Sequence, residues 1–179
     1  EDEAGAADQM AVQYFQKYGV QAICTRPFNQ TGPVWPERFV DSNWCKQIAQ
    51  IEAGQVKPEL LVGKLDTVRD FTDCRDIARA YWLLSQKGKA GEAYNICSAR
   101  PVKMAAMLKQ CLSNSKVQVK IKKNPSRIFA DQVDSARGDN SKLRRHTGWK
   151  SKIALENTHR ELPDYWRGKI GPEKGEFFG

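Results

Sequence analysis

The sequence predicts an α/β fold in which short strands alternate with helices. Apolar, β-branched runs such as Val20–Thr25 and Glu92–Cys97 are separated by segments whose apolar residues recur at helical spacing. Strands that alternate with helices favour parallel pairing. The pattern contains about four strands for about six helices, whereas a usual sheet has roughly five or six strands. We therefore expect the sheet to be incomplete.

Length and composition are those of one domain, or of one domain with part of another. The chain has 179 residues, 40% of them apolar and 28% charged. No run approaches the roughly 20 apolar residues that cross a bilayer, and no secretion signal is recognisable. The acidic, small-residue start at 1–9 indicates a cut or engineered beginning.

The cysteines are predicted to be buried free thiols in a reducing cytoplasm. They are isolated from one another, without a C-x-x-C pair, and neither His146 nor His159 is near them in sequence. This spacing argues against a zinc site or a disulfide framework. The five positions are Cys24, Cys45, Cys74, Cys97 and Cys111.

Positive charge is concentrated in one region. Residues 100–160 contain fifteen Lys and Arg against four Asp and Glu, a net +11, whereas the remainder carries −3 and the chain +8. A basic region favours an anionic partner: a nucleic acid, an acidic lipid or a phosphorylated small molecule. Simple solubility is the alternative. Nucleic acid is the least favoured partner, because Phe129 and Trp149 are the only aromatic platforms in the region.

The predicted elements follow in order. The helices are amphipathic, and they are Ala6–Tyr18, Phe39–Ala53, Asp73–Lys87, Lys103–Leu112, Ser141–Thr147 and Ala154–Trp166. The strands are apolar or alternating, and they are Val20–Thr25, Glu59–Val62, Glu92–Cys97 and the half-exposed Val117–Lys122. We expect irregular structure at Arg26–Pro33, which contains two prolines and a glycine, and a loose tail from Arg167.

The stretch Val62–Trp82 contains an extended segment and then a well-marked helix. Asp73 is predicted to cap that helix, and Lys87-Gly88 to end it with a cation and then a residue that tolerates positive φ. Arg69 therefore lies on the extended segment just before the helix. It could hold an anion, or it could pair with a neighbouring aspartate. Local sequence favours the ion pair, because structural ion pairs outnumber binding sites.

Common catalytic and phosphate-binding motifs are absent from the sequence. There is no P-loop, no G-x-G-x-x-G after a strand and no G-x-S-x-G. Gly88 and Gly91 precede a strand and are predicted to form a turn. The pair Tyr165-x-x-x-Lys169 has the spacing of a Tyr/Lys dehydrogenase pair, but its position near the C-terminus argues against that role. Both histidines are predicted to be surface or packing residues.

Several motifs in order carry a family resemblance. RPFNQTGP, FVDSNWCKQIAQIEAG, VGKLDTVRDFTDCRDIARAYWLL, GEAYNICSAR and GDNSKLRRHTGWK resemble the C-terminal half of extended short-chain dehydrogenases/reductases that act on nucleotide sugars. The pattern is most similar to GDP-6-deoxy-4-keto-mannose reductases and GDP-mannose 4,6-dehydratases, over roughly residues 6–167. The resemblance implies a partial Rossmann-type sheet plus a small substrate-binding α/β subdomain. It divides a single incomplete domain into late Rossmann elements at 6–26 and 70–98, a subdomain at 27–69 and 99–167, and a tail at 168–179.

The resemblance also implies a set of binding residues. Arg69 and Arg127 match arginines that grip the diphosphate, a role suited to the guanidinium fork, and this outweighs the local ion-pair interpretation of Arg69. Pro27 matches a position beside the nicotinamide of NAD(P). The other matches are substrate contacts, and they are Asn29, Phe39, Val40, Lys46, Gly63, Lys64 and Leu65.

This sequence departs from the family pattern in ways that affect catalysis. The family's glycine-rich cofactor loop and Tyr-x-x-x-Lys pair are absent, since the lysine would align near Ala4 and the tyrosine before Glu1. Gln30 replaces a usual histidine, Val34-Trp35 a small flexible pair, and Phe129-Ala130 a usual Arg-Pro. We therefore expect no catalytic residue, no metal site, no turnover by the chain alone and no NAD(P) bound by it alone.

Three hypotheses follow. The first is a nucleotide-sugar-binding half, specific for a GDP-hexose-like ligand, of an NAD(P)-dependent dehydratase/reductase. The second is a structural module that forms a homo-oligomer, or joins a complementing chain, through the Ala6–Tyr18 helix. The third and weakest is a basic nucleic-acid-binding domain. All three predict a cytoplasmic protein without a membrane partner.

Overall fold

The computed structural model describes residues 2–127 and 133–171. The helices in these ranges are α1 (Asp2–Tyr18), α2 (Val40–Glu52), α3 (Cys74–Lys87), α4 (Met104–Ser113), α5 (Ser141–Thr147) and α6 (Leu155–Ile170). The strands are β1 (Cys24–Pro27), β2 (Asn29–Thr31), β3 (Glu59–Val62), β4 (Val68–Asp73), β5 (Ala93–Ile96), β6 (Pro101–Lys103) and β7 (Lys120–Lys123). None of the helices in these two ranges has both the length and the apolar character that a bilayer crossing needs.

The chain divides into two compact units. The first contains residues 1–30, 70–101 and 137–152, and the second contains residues 31–69, 102–136 and 153–179. A three-stranded sheet has the strand order β2-β4-β6.

The first unit is built on a parallel pair of strands. β1 pairs with β5, with Cys24 opposite Ala93 and Pro27 opposite Ile96. α3 and α5 cover buried side chains of this unit, and Trp149 Nε1 donates to the Asp76 carbonyl at 2.9 Å. The resulting core is apolar, and its buried members are Ile77, Ala80, Leu84, Tyr94, Ile96, Leu143 and Trp149.

The second unit combines another parallel pair with three helices. β3 pairs with β7, with Glu59 opposite Lys120 and Val62 opposite Lys123. α2 contacts β3, α4 and α6, and α4 contacts α6. The buried side chains of these helices form the apolar interior, and they include Trp44, Cys45, Ile48, Met107, Leu108, Cys111 and Leu162.

The predicted α/β class with parallel pairing is confirmed. The bounds of Glu59–Val62 and Ser141–Thr147 are found as predicted. Asp73 caps α3, because its carboxylate accepts from the Arg75 N–H at 2.9 Å. The sequence succeeds at these positions because capping, glycine stops and apolar periodicity act locally.

The irregular loop predicted at Arg26–Pro33 is wrong in part. β1 starts at Cys24 rather than Val20 and continues to Pro27, and Asn29–Thr31 forms β2. Proline is tolerated at the end of β1 because the ladder is continued by the next residue: the Phe28 N–H donates to the Ile96 carbonyl at 2.9 Å.

Two further element predictions need correction. The strand predicted at Val117–Lys122 lies at Lys120–Lys123, and all four of its residues are exposed, because the strand pairs with β3 alone. α6 continues to Ile170, so Arg167 lies in a helix and not in a loose tail.

Gly88 ends α3 as predicted, but its φ of −69° does not use the left-handed conformation that glycine tolerates. A Cβ atom there would lie 2.6 Å from both the Leu84 carbonyl oxygen and Ile23 Cδ1. Glycine is therefore required at residue 88 because a Cβ atom has no space there, and not because the backbone has a positive φ. Gly91, by contrast, lies in a turn with φ +75° before β5.

The five cysteines are free thiols. Four are buried, and Cys74 is half-buried. Burial raises the pKa of Cys97 to about 11. The Cys111 pKa is raised chiefly by a hydrogen bond with Cys45 and then by burial. Both shifts disfavour the reactive thiolate, as expected for packing residues.

Candidate functional site

A polar cleft of about 520 Å³ lies in the second unit, and we call it the α2 cleft. Its walls come from α2, from β3 and from the 3₁₀ turn at Pro125–Arg127. Two predicted site residues, Lys46 and Arg127, line it together. Much of the lining is polar or charged, and it includes Glu37, Arg38, Asn43, Gln47 and Glu59.

α2 presents a polar face to the cleft because its sequence is amphipathic. Asn43, Lys46 and Gln47 are spaced at i, i+3 and i+4, which places them on one side of the helix. Trp44 and Ile48, on the other side, are each 1% exposed. The apolar face fixes the helix in the unit, so the polar face is held against the cleft.

The buried side of α2 is also fixed by polar contacts. Asp41 is fully buried 3.4 Å from His159 Nε2, while His159 Nδ1 lies 2.9 Å from Gln110 Oε1. Gln110 Nε2 donates to Glu156 Oε1 at 3.0 Å, so Gln110 of α4 contacts both His159 and Glu156 of α6. His159 is thus a packing residue, as predicted, and it links α2, α4 and α6.

Four groups form a closed hydrogen-bond ring on the cleft wall, and we call it the amide ring. Gln47 Nε2 donates to Asn43 Oδ1 at 2.8 Å and to the Leu61 carbonyl at 3.2 Å. Arg127 Nη1 donates to the same two acceptors, at 2.7 and 3.2 Å. The Leu61 N–H donates to Gln47 Oε1 at 2.9 Å. The ring therefore joins α2, β3 and Arg127.

Lys46 lies on the same helix face as the amide ring. Its ammonium pairs with Glu37 and lies 5.6 Å from the centre of the Trp166 ring. Phe39 precedes α2, with its ring centre 5.1 Å from that of Trp35, and Val40 opens the helix with 37% of its surface exposed. An ammonium, an aromatic ring and a valine thus lie near the start of α2.

Gly63 follows β3 and lies against the backbone of Arg127. A Cβ atom at Gly63 would approach the Arg127 carbonyl oxygen to 2.5 Å, and the Arg127 Cβ to 3.3 Å. The neighbouring backbone is tied by the Asn124 N–H, which donates to the Val62 carbonyl at 2.8 Å. The absence of a side chain at residue 63 therefore allows Arg127 to reach the cleft.

Substitution of Gly63 by alanine is expected to displace Arg127. The new methyl group meets main-chain atoms, which cannot move aside as a flexible side chain can, so we expect a lower thermal midpoint and weaker binding of anions in the cleft. Thermal unfolding and titration with inorganic pyrophosphate would measure both effects. Gly168→Ala is the control, since a Cβ there meets nothing within 4 Å and alanine favours a helix interior. Equal behaviour of the two variants would contradict the expectation.

Lys64 and Arg69 converge on the segment 133–136. Lys64 Nζ pairs with Asp134 at 2.5 Å, and its hydrogen bond and charge lower the pKa of that carboxyl. Arg69 Nη1 donates to the Val68 carbonyl at 2.8 Å, and Nη2 to the Val133 carbonyl at 2.5 Å. Arg69 therefore anchors this segment to β4 through main-chain carbonyls, a role that neither interpretation of the sequence included.

The remaining predicted contacts are placed as follows. Leu65 lies before β4, and its carbonyl accepts from the Ala105 N–H at 3.0 Å. Pro27 and Asn29 belong to the first unit, where Pro27 ends β1 and Asn29 Nδ2 donates to the Asp70 carbonyl at 3.4 Å. The substitution at Phe129-Ala130 lies outside the described residues.

Sequence reasoning missed two residues of the cleft wall, Asn43 and Gln47. Their signal was present, because an amide pair at i and i+4 stands beside Lys46 on the polar face of a predicted helix. Such a pair usually lies on a solvent-exposed helix surface. Only the contacts with Leu61 and Arg127 show that this pair belongs to the cleft wall.

Comparison with known proteins decides the family. The family model described as GDP-mannose 4,6 dehydratase matches residues 5–162. The chain belongs to this family. Among its relatives, the GDP-6-deoxy-D-mannose reductase of Pseudomonas aeruginosa is 30% identical over 168 residues, which are 94% of this chain and 55% of that protein. GDP-mannose 4,6 dehydratase 1 of Arabidopsis thaliana is 28% identical over 163 residues, which cover 89% of this chain and 44% of that one.

Solved structures agree with the family assignment. The structure of RMD from Pseudomonas aeruginosa complexed with NADPH superposes with a TM-score of 0.86 at 29% identity, covering 92% of this chain and 55% of that one. The chain thus spans about half the length of the curated relatives it matches. The match confirms the predicted Rossmann-type resemblance of the fold.

Proposed function

We propose that this chain binds a nucleotide diphosphate-sugar of the GDP-hexose class, as part of an NAD(P)-dependent dehydratase or reductase. The names of its relatives support the ligand class, since they include a GDP-6-deoxy-D-mannose reductase and a GDP-mannose 4,6 dehydratase. The α2 cleft supports the location, because it combines cations with polar groups that suit a nucleotide.

The observation that carries the proposal is the state of Arg127. It lines the cleft, and no carboxylate among the described residues forms an ion pair with it. A half-buried guanidinium without a carboxylate partner has charge available for an anion. Phosphate oxygens are the acceptors that such a planar fork binds best.

We assign ligand-binding roles around Arg127 to the other predicted contact residues. Lys46 supplies a second cation from α2, and Phe39 and Val40 supply apolar surface near the start of that helix. Gly63, Lys64 and Leu65 form the turn after β3 that would follow the base and ribose. Arg69 would grip the diphosphate, and Asn29 would hydrogen-bond the sugar; both assignments rest on the resemblance.

The proposal is limited to binding of the nucleotide sugar and assigns no reaction step to NAD(P). The sequence contains no G-x-G-x-x-G after a strand, which is the glycine-rich turn that cradles a pyrophosphate, so we propose no complete cofactor site within it. Pro27 would lie beside the nicotinamide. No cluster of three metal-ligating side chains occurs within residues 2–127 and 133–171. We still predict that the chain alone has no catalytic turnover. We also still predict that it is located in a reducing cytoplasm.

The experiment is a calorimetric titration with GDP-mannose of the unmodified protein and of Arg69→Ala. We expect saturable binding by the former and about tenfold weaker binding by the latter, as for a lost charge-assisted hydrogen bond. Arg160→Ala is the matched control, since Arg160 is exposed in the same unit. Absence of binding heat would overturn the proposed function, and unchanged affinity in Arg69→Ala would remove Arg69 from the site.

A second candidate function, association through α1, is favoured by one observation. Met10, Tyr14 and Tyr18 follow at i, i+4 and i+8 and are 59%, 50% and 62% exposed. An apolar stripe of this kind suits a second copy of the chain or a complementing chain. Sedimentation decides, and a strictly monomeric, well-folded protein would count against it.

A further inference from the structure

The amide ring holds Arg127 by neutral groups alone. Its two acceptors, Asn43 Oδ1 and the Leu61 carbonyl, each accept one hydrogen bond from Arg127 Nη1 and one from Gln47 Nε2. Neither acceptor carries a charge. The guanidinium is therefore restrained in position without being neutralised.

The backbone N–H of Leu61 determines which atoms of the two side-chain amides donate and which accept. The Leu61 N–H requires an acceptor, which is Gln47 Oε1 at 2.9 Å. Gln47 Nε2 must then face the other way and donate to Asn43 and the Leu61 carbonyl. Asn43 in turn presents its oxygen to two donors. Each acceptor of the ring has a donor, so a reversed Gln47 or Asn43 amide would leave two donors facing each other.

Within the amide ring, Arg127 donates through Nη1 only. No acceptor among the described residues engages Nε or Nη2 of this side chain. The guanidinium fork offers its remaining N–H groups in one fixed plane. An arginine held in this way loses less side-chain entropy when an anion binds, which favours affinity.

We propose that Asn43 and Gln47 are positioning residues that aim the charge of Arg127 at the diphosphate. This inference rests on the proposed function. The neutrality of Asn43 is the decisive feature, because a carboxylate in its place would preserve the hydrogen bond and cancel the charge. A positioning role thus predicts that the isosteric aspartate weakens ligand binding while leaving the fold intact.

Asn43→Asp tests the inference through affinity and stability together. We expect the Kd for GDP-mannose to rise at least tenfold, while the thermal midpoint stays unchanged or rises, because the new carboxylate pairs with Arg127 at the 2.7 Å contact. Unchanged affinity would overturn the inference. So would a loss of affinity accompanied by a lower thermal midpoint.

A double-mutant cycle separates positioning from general support of the fold. Asn43→Asp should weaken GDP-mannose binding at least tenfold when Arg127 is present and less than twofold in an Arg127→Ala background. Ligand-detected NMR can follow the weaker complexes. Equal factors in the two backgrounds would overturn the inference. If the unmodified protein fails to bind GDP-mannose at all, the proposed function itself fails.

Gln47→Met provides a second test of the inference, with Gln118→Met as its control. Gln47→Met keeps the side-chain volume but removes the donor to both ring acceptors, and we expect a five- to tenfold higher Kd. Gln118 is exposed in the same unit, does not line the α2 cleft, and its side chain has no hydrogen bond within the described ranges. Its variant is expected to bind within twofold of the unmodified protein. Equal effects of the two substitutions would contradict the role of Gln47.

Discussion

Arg127→Ala is expected to weaken binding of GDP-mannose by roughly ten- to 150-fold. The estimate corresponds to about 1.5–3 kcal/mol for hydrogen bonds between a charged group and phosphate. Arg127 lines the α2 cleft without a carboxylate partner in the part of the chain that the structure describes. Its removal therefore deletes a positive charge that no described carboxylate neutralises. Isothermal titration calorimetry measures the change.

The same variant is expected to remain folded. Gln47 Nε2 still donates to Asn43 and to the Leu61 carbonyl after Arg127 is truncated, so neither half-buried acceptor loses its last partner. The thermal midpoint should accordingly fall by only a few degrees. A variant that binds GDP-mannose as tightly as the unmodified protein would contradict the assignment of Arg127.

Salt provides an independent check on the Arg127 prediction. Binding by the unmodified protein should weaken as ionic strength rises, because the contact is between opposite charges. Arg127→Ala should show a shallower dependence on salt. Arg160→Ala, which removes an exposed arginine of the same unit, should follow the unmodified protein in both affinity and salt dependence.

Glu52→Gln is expected to produce the largest loss of stability at neutral pH. Arg167 grips Glu52 with two N–H groups, Nε at 2.7 Å and Nη2 at 2.8 Å, and the Lys116 N–H donates to the same carboxylate at 2.8 Å. The Glu52 side chain is only 9% exposed and that of Arg167 20%. Loss of the carboxylate leaves a largely buried guanidinium without its main partner, at a cost of about 2–3 kcal/mol. For a chain of this size that is roughly 5–10 °C in thermal midpoint.

The effect of Glu52→Gln should depend on pH in a defined direction. The Arg167 hydrogen bonds lower the pKa of Glu52 below its ordinary value of 4.5. A carboxyl whose pKa is lowered by folding contributes its full stability above the unfolded value, and loses it as the pH falls through the folded value. The difference in thermal midpoint between the unmodified protein and Glu52→Gln should therefore be constant above about pH 5 and shrink toward pH 3.

Thermal melts at closely spaced pH values measure this difference. Asp66→Asn is the control, since Asp66 and Lys103 form an exposed pair at 3.9 Å with side chains 81% and 56% exposed. Exposed pairs of this kind contribute about 0–1 kcal/mol, so we expect almost no change at any pH. A Glu52→Gln difference that stays constant or grows below pH 4 would contradict the assigned pKa shift.

Local patterns predicted most of the helices and the parallel strands. The helix at Ser141–Thr147 and the strand at Glu59–Val62 were recovered because their signals lie within a few residues of the element itself. The prediction failed where a distant segment decides the outcome. Pro27 joins a strand because β5 supplies its partner, and Arg167 belongs to a helix held by Glu52.

The candidate site was likewise predicted only in part. The resemblance of the motifs singled out Lys46 and Arg127, and both line one cleft. It also named Arg69, whose terminal nitrogens the structure places on two main-chain carbonyls. Neither the amide ring nor the close approach at Gly63 could be predicted, because each depends on atoms far apart in the chain.

The sequence by itself determined the α/β class, the order of the motifs and the family, since these depend on residue type and spacing along the chain. Only the tertiary structure decided how Arg127 is held. Asn43 is 84 positions away from it, yet its Oδ1 accepts from Arg127 Nη1 at 2.7 Å, and Gln47, 80 positions away, donates to the same oxygen at 2.8 Å. The distances and directions of hydrogen bonds become defined only when packing fixes the elements in space, and that is why the charge of Arg127, but not its orientation, could be read from the sequence.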